Sequence, residues 1–350
     1  MHFTVDFHII KIFVLTVLSF VVTIFWTPAL THFLYKYKLG KQIRDDKSAP
    51  VFSALHRKKS GTPTMGGVLI WGTTLVLALL FFYLGKIFDI ELLRKFNFLT
   101  RSETLLPLGA LVATAIVGLI DDFLNVKGLG PYGGGFKIRH RLLIYTLIAI
   151  VGAYWFYFKL DWDVLHVPFL GSFQIGWWYI PIFIFVIVAT SFSVNEIDGL
   201  DGLAGGTLLA AFGVYGAIAF AQGDYNLSAF CGVIAGALLA FLWFNIPPAR
   251  FFMGDTGAMA LGTTLGIVAM LTNTALLLPI IGLLFVIESL SVIIQLFSRK
   301  LFKRKVFLSA PVHHHLEATG WPETKIVMRF WIIAAVTSGL GLIIVLIDKT

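Results

Sequence analysis

Five aspartates stand at the ends of long apolar runs, where charge is least welcome. They are the Asp121-Asp122 pair, Asp198 and Asp201 in Asn195-Glu196-Ile197-Asp198-Gly199-Leu200-Asp201-Gly202, and Asp255 in Phe252-Met253-Gly254-Asp255-Thr256-Gly257. Ionisable groups at or near membrane depth are costly and mark functional sites by default. Several carboxylates that need one neutralising partner point to a divalent cation, and such a cation usually handles phosphates. Asn195, Asp198 and Asp201 recur every three residues, which on a helix aligns them along one face beside Gly199 and Gly202. That face suits a metal or a ligand's hydroxyls and phosphates; the alternative is that Asp198 or Asp201 caps the next helix. Neighbouring helical residues diverge by about 100°, so Asp121 and Asp122 are expected to take different roles. Carboxylates at a helix C-terminus also oppose the macrodipole, which argues for a compensating cation. Asp255 opens a span after Gly254, either as an N-cap or, with Phe251, Phe252 and Asn245, in a pocket with an aromatic wall, an amide and a metal-binding carboxylate.

Two further blocks could contact phosphates. Lys58-Lys59-Ser60-Gly61-Thr62-Pro63-Thr64-Met65-Gly66-Gly67 lacks the Walker A order, yet amides at a helix start, hydroxyls and a lysine can cradle an anion. The alternative is a basic juxtamembrane turn. His313-His314-His315 lies between Pro311 and Glu317. Consecutive residues rarely aim three rings at one metal, and no His-Glu-x-x-His spacing is present, so phosphate or nucleotide contacts, or hydrogen bonds holding a loop, suit them better than zinc. The lone Cys231 sits in an apolar run and reads as a small hydrophobe.

The elements that must position these residues are membrane helices. The chain has 350 residues, 58% hydrophobic and 13% charged, with a mean hydropathy of +0.87, against about 25% charged residues in average soluble chains. Ten apolar spans are expected, at about 8–34, 66–84, 104–120, 140–158, 178–194, 203–221, 227–244, 257–272, 275–297 and 327–346. The first is too long for a signal-peptide core and is expected to stay. The expected fold is an all-α polytopic membrane protein of about ten transmembrane helices, with residues 1–350 forming one integral membrane domain. The stretches 35–65, 121–139 and 298–326 are too short to bury cores of their own.

Most of the 27 Lys and Arg fall in the odd-numbered loops, among them Lys36–Lys59, Lys127–Arg141, Arg250 and Arg299–Lys305. The positive-inside rule therefore places those loops in the cytoplasm and both termini on the outer, periplasmic face. All five aspartates, Lys59, the segment Gly128–Gly135 and the histidine triplet lie in odd loops or at their edges, so one cytoplasmic-face active site is expected. The net charge of +8 supplies an electropositive mouth for anionic substrates and anionic lipid. Nucleic acid is excluded as a partner, because the basic residues are split among loops and no binding module is present. The stretches 85–103 and 154–179 read as outer-face elements, the second with an aromatic belt of Trp155, Trp162, Trp177, Trp178 and Tyr179.

Taken together, the blocks at Lys59–Gly67, Asp121-Asp122, Asn195–Gly205, Phe252–Gly257, Pro311–Glu317 and Gly320-Trp321-Pro322-Glu323 resemble the polyprenyl-phosphate N-acetylhexosamine-1-phosphate transferases. The Gly-Thr-Pro-Thr-Met-Gly-Gly block and the triple histidine resemble the muramoyl-pentapeptide branch in particular. The chain departs from the family pattern at Glu196-Ile197, where Leu-Thr is usual, and in its glycine-rich run at Gly130–Gly135.

The resemblance implies transfer of phospho-N-acetylmuramoyl-pentapeptide from UDP-N-acetylmuramoyl-pentapeptide to undecaprenyl phosphate in the bacterial inner membrane, with Mg2+ as cofactor. It implies Asp255 and Asp121 at the metal, and Asp122 as the group that orients or deprotonates the lipid phosphate. A phosphate monoester is already largely dianionic at neutral pH and hardly needs a base. Asn195, Asp198 and Asp201 would line the diphosphate and sugar, Lys59 and Thr64 would contact nucleotide or phosphate, and Phe252 with Asn245 would hold the uracil. His313, His314 and His315 would contact the sugar nucleotide or shape its pocket. Alternatives are a transferase using UDP-N-acetylglucosamine and, in a different class, a secondary transporter. A homodimer is compatible with such a bundle, although no motif fixes an interface.

Overall fold

The computed structural model describes residues 2–40, 59, 61–88, 90–101, 103–130 and 134–348. Lys41, Arg44, Lys47, Arg57, Lys58 and Ser60 of the first basic loop, and 131–133 of the glycine-rich segment, lie outside the described residues.

Apolar runs become helices because an unpaired backbone N–H or C=O in hydrocarbon costs several kcal/mol, and a helix pairs them all internally. The chain runs through α1 (His2–Lys36), α2 (Val68–Ile87), a short α3 (Glu91–Phe96), α4 (Leu105–Val126), α5 (Ile138–Lys159), α6 (Tyr179–Ile197), α7 (Leu203–Gln222) and α8 (Tyr225–Asn245). It continues through α9 (Asp255–Leu271), a one-turn α10 (Leu278–Ile281), α11 (Leu283–Leu301), α12 (Val312–Ala318) and α13 (Glu323–Asp348). Among the described residues, eight helices are long and apolar enough to cross a membrane, or nine if one bent pair counts as a single span. This is a multi-pass membrane architecture. Each of the ten expected runs is found as helix, but two differ from the expectation.

The run at 275–297 is broken. Ala275–Ile281 and Leu283–Leu301 meet at 84°, with Pro279 at the start of α10 and Gly282 outside helical geometry at the junction. Proline suits a helix's first turn, and glycine carries the non-helical dihedrals cheaply. The run at 257–272 becomes α9, of 17 residues, about 26 Å at 1.5 Å per residue and short of the roughly 30 Å hydrocarbon core. Every residue from Thr256 to Leu271 is buried, because α9 packs within α2, α4, α6 and α7. Small residues permit the close approach. A Cβ on Gly118 of α4 would lie 2.3 Å from the Asp255 carbonyl oxygen, so only glycine lets α4 carry its aspartates up to the start of α9.

The structure also contains a β-hairpin that the all-α expectation omits. Strands β1 (Val164–Val167) and β2 (Gly171–Gln174) pair antiparallel, with Val164 opposite Gln174 and Val167 opposite Gly171. Phe169 and Gly171 take positive φ in the turn. His166 and Phe169 both engage the Asp348 carboxylate, fastening the hairpin to the end of α13. At the same end of the bundle Lys11, 3% exposed, donates to the Asn97 carbonyl and to Asn226 Oδ1, each at 2.8 Å. It thereby ties α1 to the stretch after α3 and to the start of α8.

Candidate active site

Asp121 and Asp122 lie in the last turns of α4, and both are buried. Their side chains turn to different partners, as their divergence on the helix requires. Asp121 Oδ1 accepts the Phe136 backbone N–H, which the glycine-rich segment brings over α4; a Cβ on Gly135 would meet Asp121 Oδ1 at 2.7 Å. Asp121 Oδ2 lies 2.7 Å from Arg141 Nη2. The same nitrogen donates to Asp255 Oδ2 at 2.8 Å. Arg141 Nη1 donates to Asn195 Oδ1 at 2.7 Å, and Asn195 Nδ2 donates to Asp255 Oδ1 at 2.7 Å. Arg141, Asn195 and Asp255, from α5, α6 and α9, thus close a ring of charge-assisted contacts, and Asp121 of α4 joins it through Arg141.

Asp122 faces away from this ring. Its Oδ1 accepts from Thr64 Oγ1 at 3.1 Å, and its Oδ2 accepts the Thr256 N–H at 3.0 Å. The carboxylate therefore satisfies an orphan donor at the N-terminus of α9 from a neighbouring helix. Gly254, at φ +76°, leaves the room: a Cβ there would lie 2.5 Å from Asp122 Oδ2. Asp255 itself is the first residue of α9 and Gly254 is its N-cap, so of the two readings of Asp255 the N-cap is not what the structure shows.

The expected helical face of Asn195, Asp198 and Asp201 does not form. Helix α6 ends at Ile197, Asp198 caps it at φ −78°, ψ 60°, and Gly202 at φ +79° starts α7. The glycines turn the chain, so Asn195 faces the ring while Asp201 faces a second cluster. There Lys59 Nζ lies 2.7 Å from Asp201 Oδ1 and 2.5 Å from Glu323 Oε1. Glu323 Oε1 also accepts the Asp201 N–H at 2.8 Å, and Asp201 Oδ2 accepts the Ala249 N–H at 3.1 Å. Neither aspartate caps α7 through its side chain.

Asn245 is committed at both ends of its amide. Oδ1 accepts the Gly202 N–H at 2.9 Å, and Nδ2 donates to the Phe251 carbonyl at 2.8 Å. It braces the 251–254 turn against the start of α7. Phe252, half-buried, bonds through its backbone to Pro63 and Gly66, each at 2.8 Å, which docks the Thr64 segment beside Asp122.

The three histidines, around the start of α12, have three different partners. His313 is fully buried; its Nδ1 lies 3.1 Å from Glu288 Oε2 of α11, and its N–H donates to Glu288 Oε1 at 3.2 Å. The ring lies against the 199 position, where a Cβ would meet Nε2 at 2.2 Å, so glycine there lets the histidine loop reach the Asp198–Asp201 turn. His314 Nδ1 pairs with Glu317 Oε2 at 2.7 Å, and His315 Nδ1 accepts the Leu308 N–H at 3.2 Å.

Arg141, Glu288 and Glu323 are prominent in this geometry, and none was singled out as a site residue from sequence. In the sequence Arg141 bears only on topology. Glu288 is an acid inside an apolar run, which is the same signal that marked the aspartates.

The donor set fits a magnesium ion. Two carboxylates from different helices already converge on one cationic nitrogen, and Asn195 adds an amide oxygen. Magnesium uses one or two protein carboxylates and takes its remaining ligands from water and substrate phosphates. Among the described residues, no cluster of three or more His, Cys, Asp or Glu forms an all-protein cage.

Known proteins match over the same regions. The glycosyl transferase family 4 model matches residues 104–273, and signature 1 of the phospho-N-acetylmuramoyl-pentapeptide-transferases matches residues 59–70. The phospho-N-acetylmuramoyl-pentapeptide-transferase of Chloroflexus aggregans is 40% identical over 342 residues, covering 94% of this chain and 88% of the relative. That of Geobacillus sp. strain WCH70 is 40% identical over 330 residues, covering 94% and 96%. That of Thermoanaerobacter sp. strain X514 is 37% identical over 332 residues, covering 95% and 98%.

Proposed function

The chain belongs to the phospho-N-acetylmuramoyl-pentapeptide-transferase family, and on that premise we propose that it makes lipid I. The reaction transfers phospho-N-acetylmuramoyl-pentapeptide from UDP-N-acetylmuramoyl-pentapeptide to undecaprenyl phosphate and releases UMP. A lipid phosphate oxygen bonds to the sugar-proximal phosphorus as the bond from that phosphorus to the UMP oxygen breaks. The observation that carries this reading is the convergence of Asp121, Arg141, Asn195 and Asp255 at helix ends.

Asp121 and Asp255 would hold magnesium, which when bound supplies charge neutralisation for an in-line attack between two anions. Asn195 orients Asp255 through its amide. Lys59, held by Asp201 and Glu323, offers a cation to the sugar nucleotide's diphosphate. Phe252 offers an aromatic face to the uracil, and Asn245 acts by bracing the turn that presents it. His313, held by Glu288, and His314, held by Glu317, shape the sugar side of the pocket. Asp122 orients α9 and Thr64, so its contribution is positional.

We further propose that residues 1–350 form one integral unit with ten crossings in the bacterial inner membrane. Its active site then faces the cytoplasm and both termini face the periplasm, a reading supported by the basic residues of the odd loops.

The test is UMP release by the purified protein with magnesium, undecaprenyl phosphate and either UDP-N-acetylmuramoyl-pentapeptide or UDP-N-acetylglucosamine. Release with the first substrate alone is expected. Release with the second alone would reassign the sugar, and release with neither would remove the transferase reading.

A further inference from the structure

We propose that Arg141 is a resident counter-cation that holds the metal's place between Asp121 and Asp255, and that a divalent ion must displace it toward Glu196. This rests on the reading above that the two aspartates hold magnesium. A single nitrogen, Nη2, stands 2.7 Å from Asp121 Oδ2 and 2.8 Å from Asp255 Oδ2. Like charges brought so close need a cation between them. A guanidinium cannot deprotonate in a protein, so an incoming ion has to move it rather than titrate it.

The surroundings provide somewhere to go. A cavity of about 170 Å³ adjoins the ring, lined by Phe136, Ile138, Arg141, Tyr145, Phe192, Asn195 and Glu196. Arg141 Nε, although buried, has no hydrogen-bond partner, so one edge of the guanidinium is uncommitted. Glu196 puts a carboxylate on the wall of this cavity. A displaced Arg141 therefore trades its contacts with Asp121 and Asp255 for one with Glu196 and does not become an isolated charge. Metal entry becomes a cation exchange, and the arginine moves to the wall of the adjoining cavity.

The probe is Mn2+ alone, its unbound fraction read by electron paramagnetic resonance on the full-length, substrate-free protein in detergent. Arg141→Gln removes the competing cation and should tighten Mn2+ binding by about tenfold or more. Arg141→Lys, which keeps a cation, should stay near wild type. Glu196→Gln should weaken Mn2+ binding by roughly threefold in the presence of Arg141 and have no effect in the Arg141→Gln background, as coupled sites require. Melting without metal should fall in Arg141→Gln and recover with Mn2+.

Equal or weaker Mn2+ binding in Arg141→Gln overturns the proposal. If that binding is still abolished by Asp255→Asn, the metal site stands and only the role of Arg141 is lost. Mn2+ binding that ignores Asp255→Asn in every variant removes the metal reading itself, and the exchange with it. Should Arg141→Gln fail to fold, unchanged affinity in Glu196→Gln overturns the proposal on its own.

Discussion

The carboxylate of Asp122 accepts the backbone N–H of Thr256 at 3.0 Å, so the second aspartate of the pair caps the helix that begins at Asp255. Asp121 is bound to the same helix start through Arg141. The two neighbours therefore divide their work, one joined to α9 through charge and the other through its backbone.

That division predicts different outcomes for two substitutions. Asp122→Ala leaves the Thr256 N–H and the Thr64 hydroxyl without their buried acceptor and should cost about 1–3 kcal/mol. Asp122→Asn still accepts from Thr256 and should lose less. Chemical unfolding of both variants checks this, and equal stability of wild type and Asp122→Ala would remove the capping role. A general base would instead show itself as a loss of roughly 10²–10⁴ in turnover in Asp122→Asn, at unchanged stability.

The Glu288–His313 pair lies between two fully buried side chains. Glu288→Ala leaves the buried His313 backbone N–H without its acceptor and should destabilise by about 1–3 kcal/mol. Glu288→Gln retains an acceptor and should cost less. A double-mutant cycle with His313→Ala should show coupling of about 0.5–3 kcal/mol. Additive losses in that cycle would mean that the pair does not act as a unit.

Lys11 tests the opposite end of the bundle. Lys11→Ala removes the donor to Asn97 and Asn226 and should cost about 1–3 kcal/mol, while UMP release per folded molecule stays at the wild-type level. A fall in turnover without a fall in melting temperature would show that the outer end communicates with the site.

Much of this was legible in the sequence, and each failure has a physical cause. Hydropathy located every apolar helix, because the cost of unpaired backbone in lipid leaves little choice of structure. It did not foresee the bend at Gly282, since averaging over a window removes Pro279 and Gly282 from view. The hairpin at 164–174 was obscured by flanking aromatic residues that suit an interface in any conformation. At the site, spacing alone aligned Asn195, Asp198 and Asp201, but one helix ends at Ile197 with Asp198 as its cap and Gly202 starts the next. Arg141 escaped notice because a cation beside an apolar run serves topology equally well. Only tertiary contact shows that it lies between two acids.

The burial of α9 has a consequence for the enzyme's dependence on its bilayer. A lipid-facing helix must tilt or shift when the hydrocarbon thickness departs from its own length. The residues of α9 that follow Asp255 are enclosed by protein, so a change in lipid acyl length acts first on the outer helices and reaches α9 only through their packing. Acyl-chain length should then alter how the lipid substrate approaches the protein far more than it alters the distance between Asp121 and Asp255.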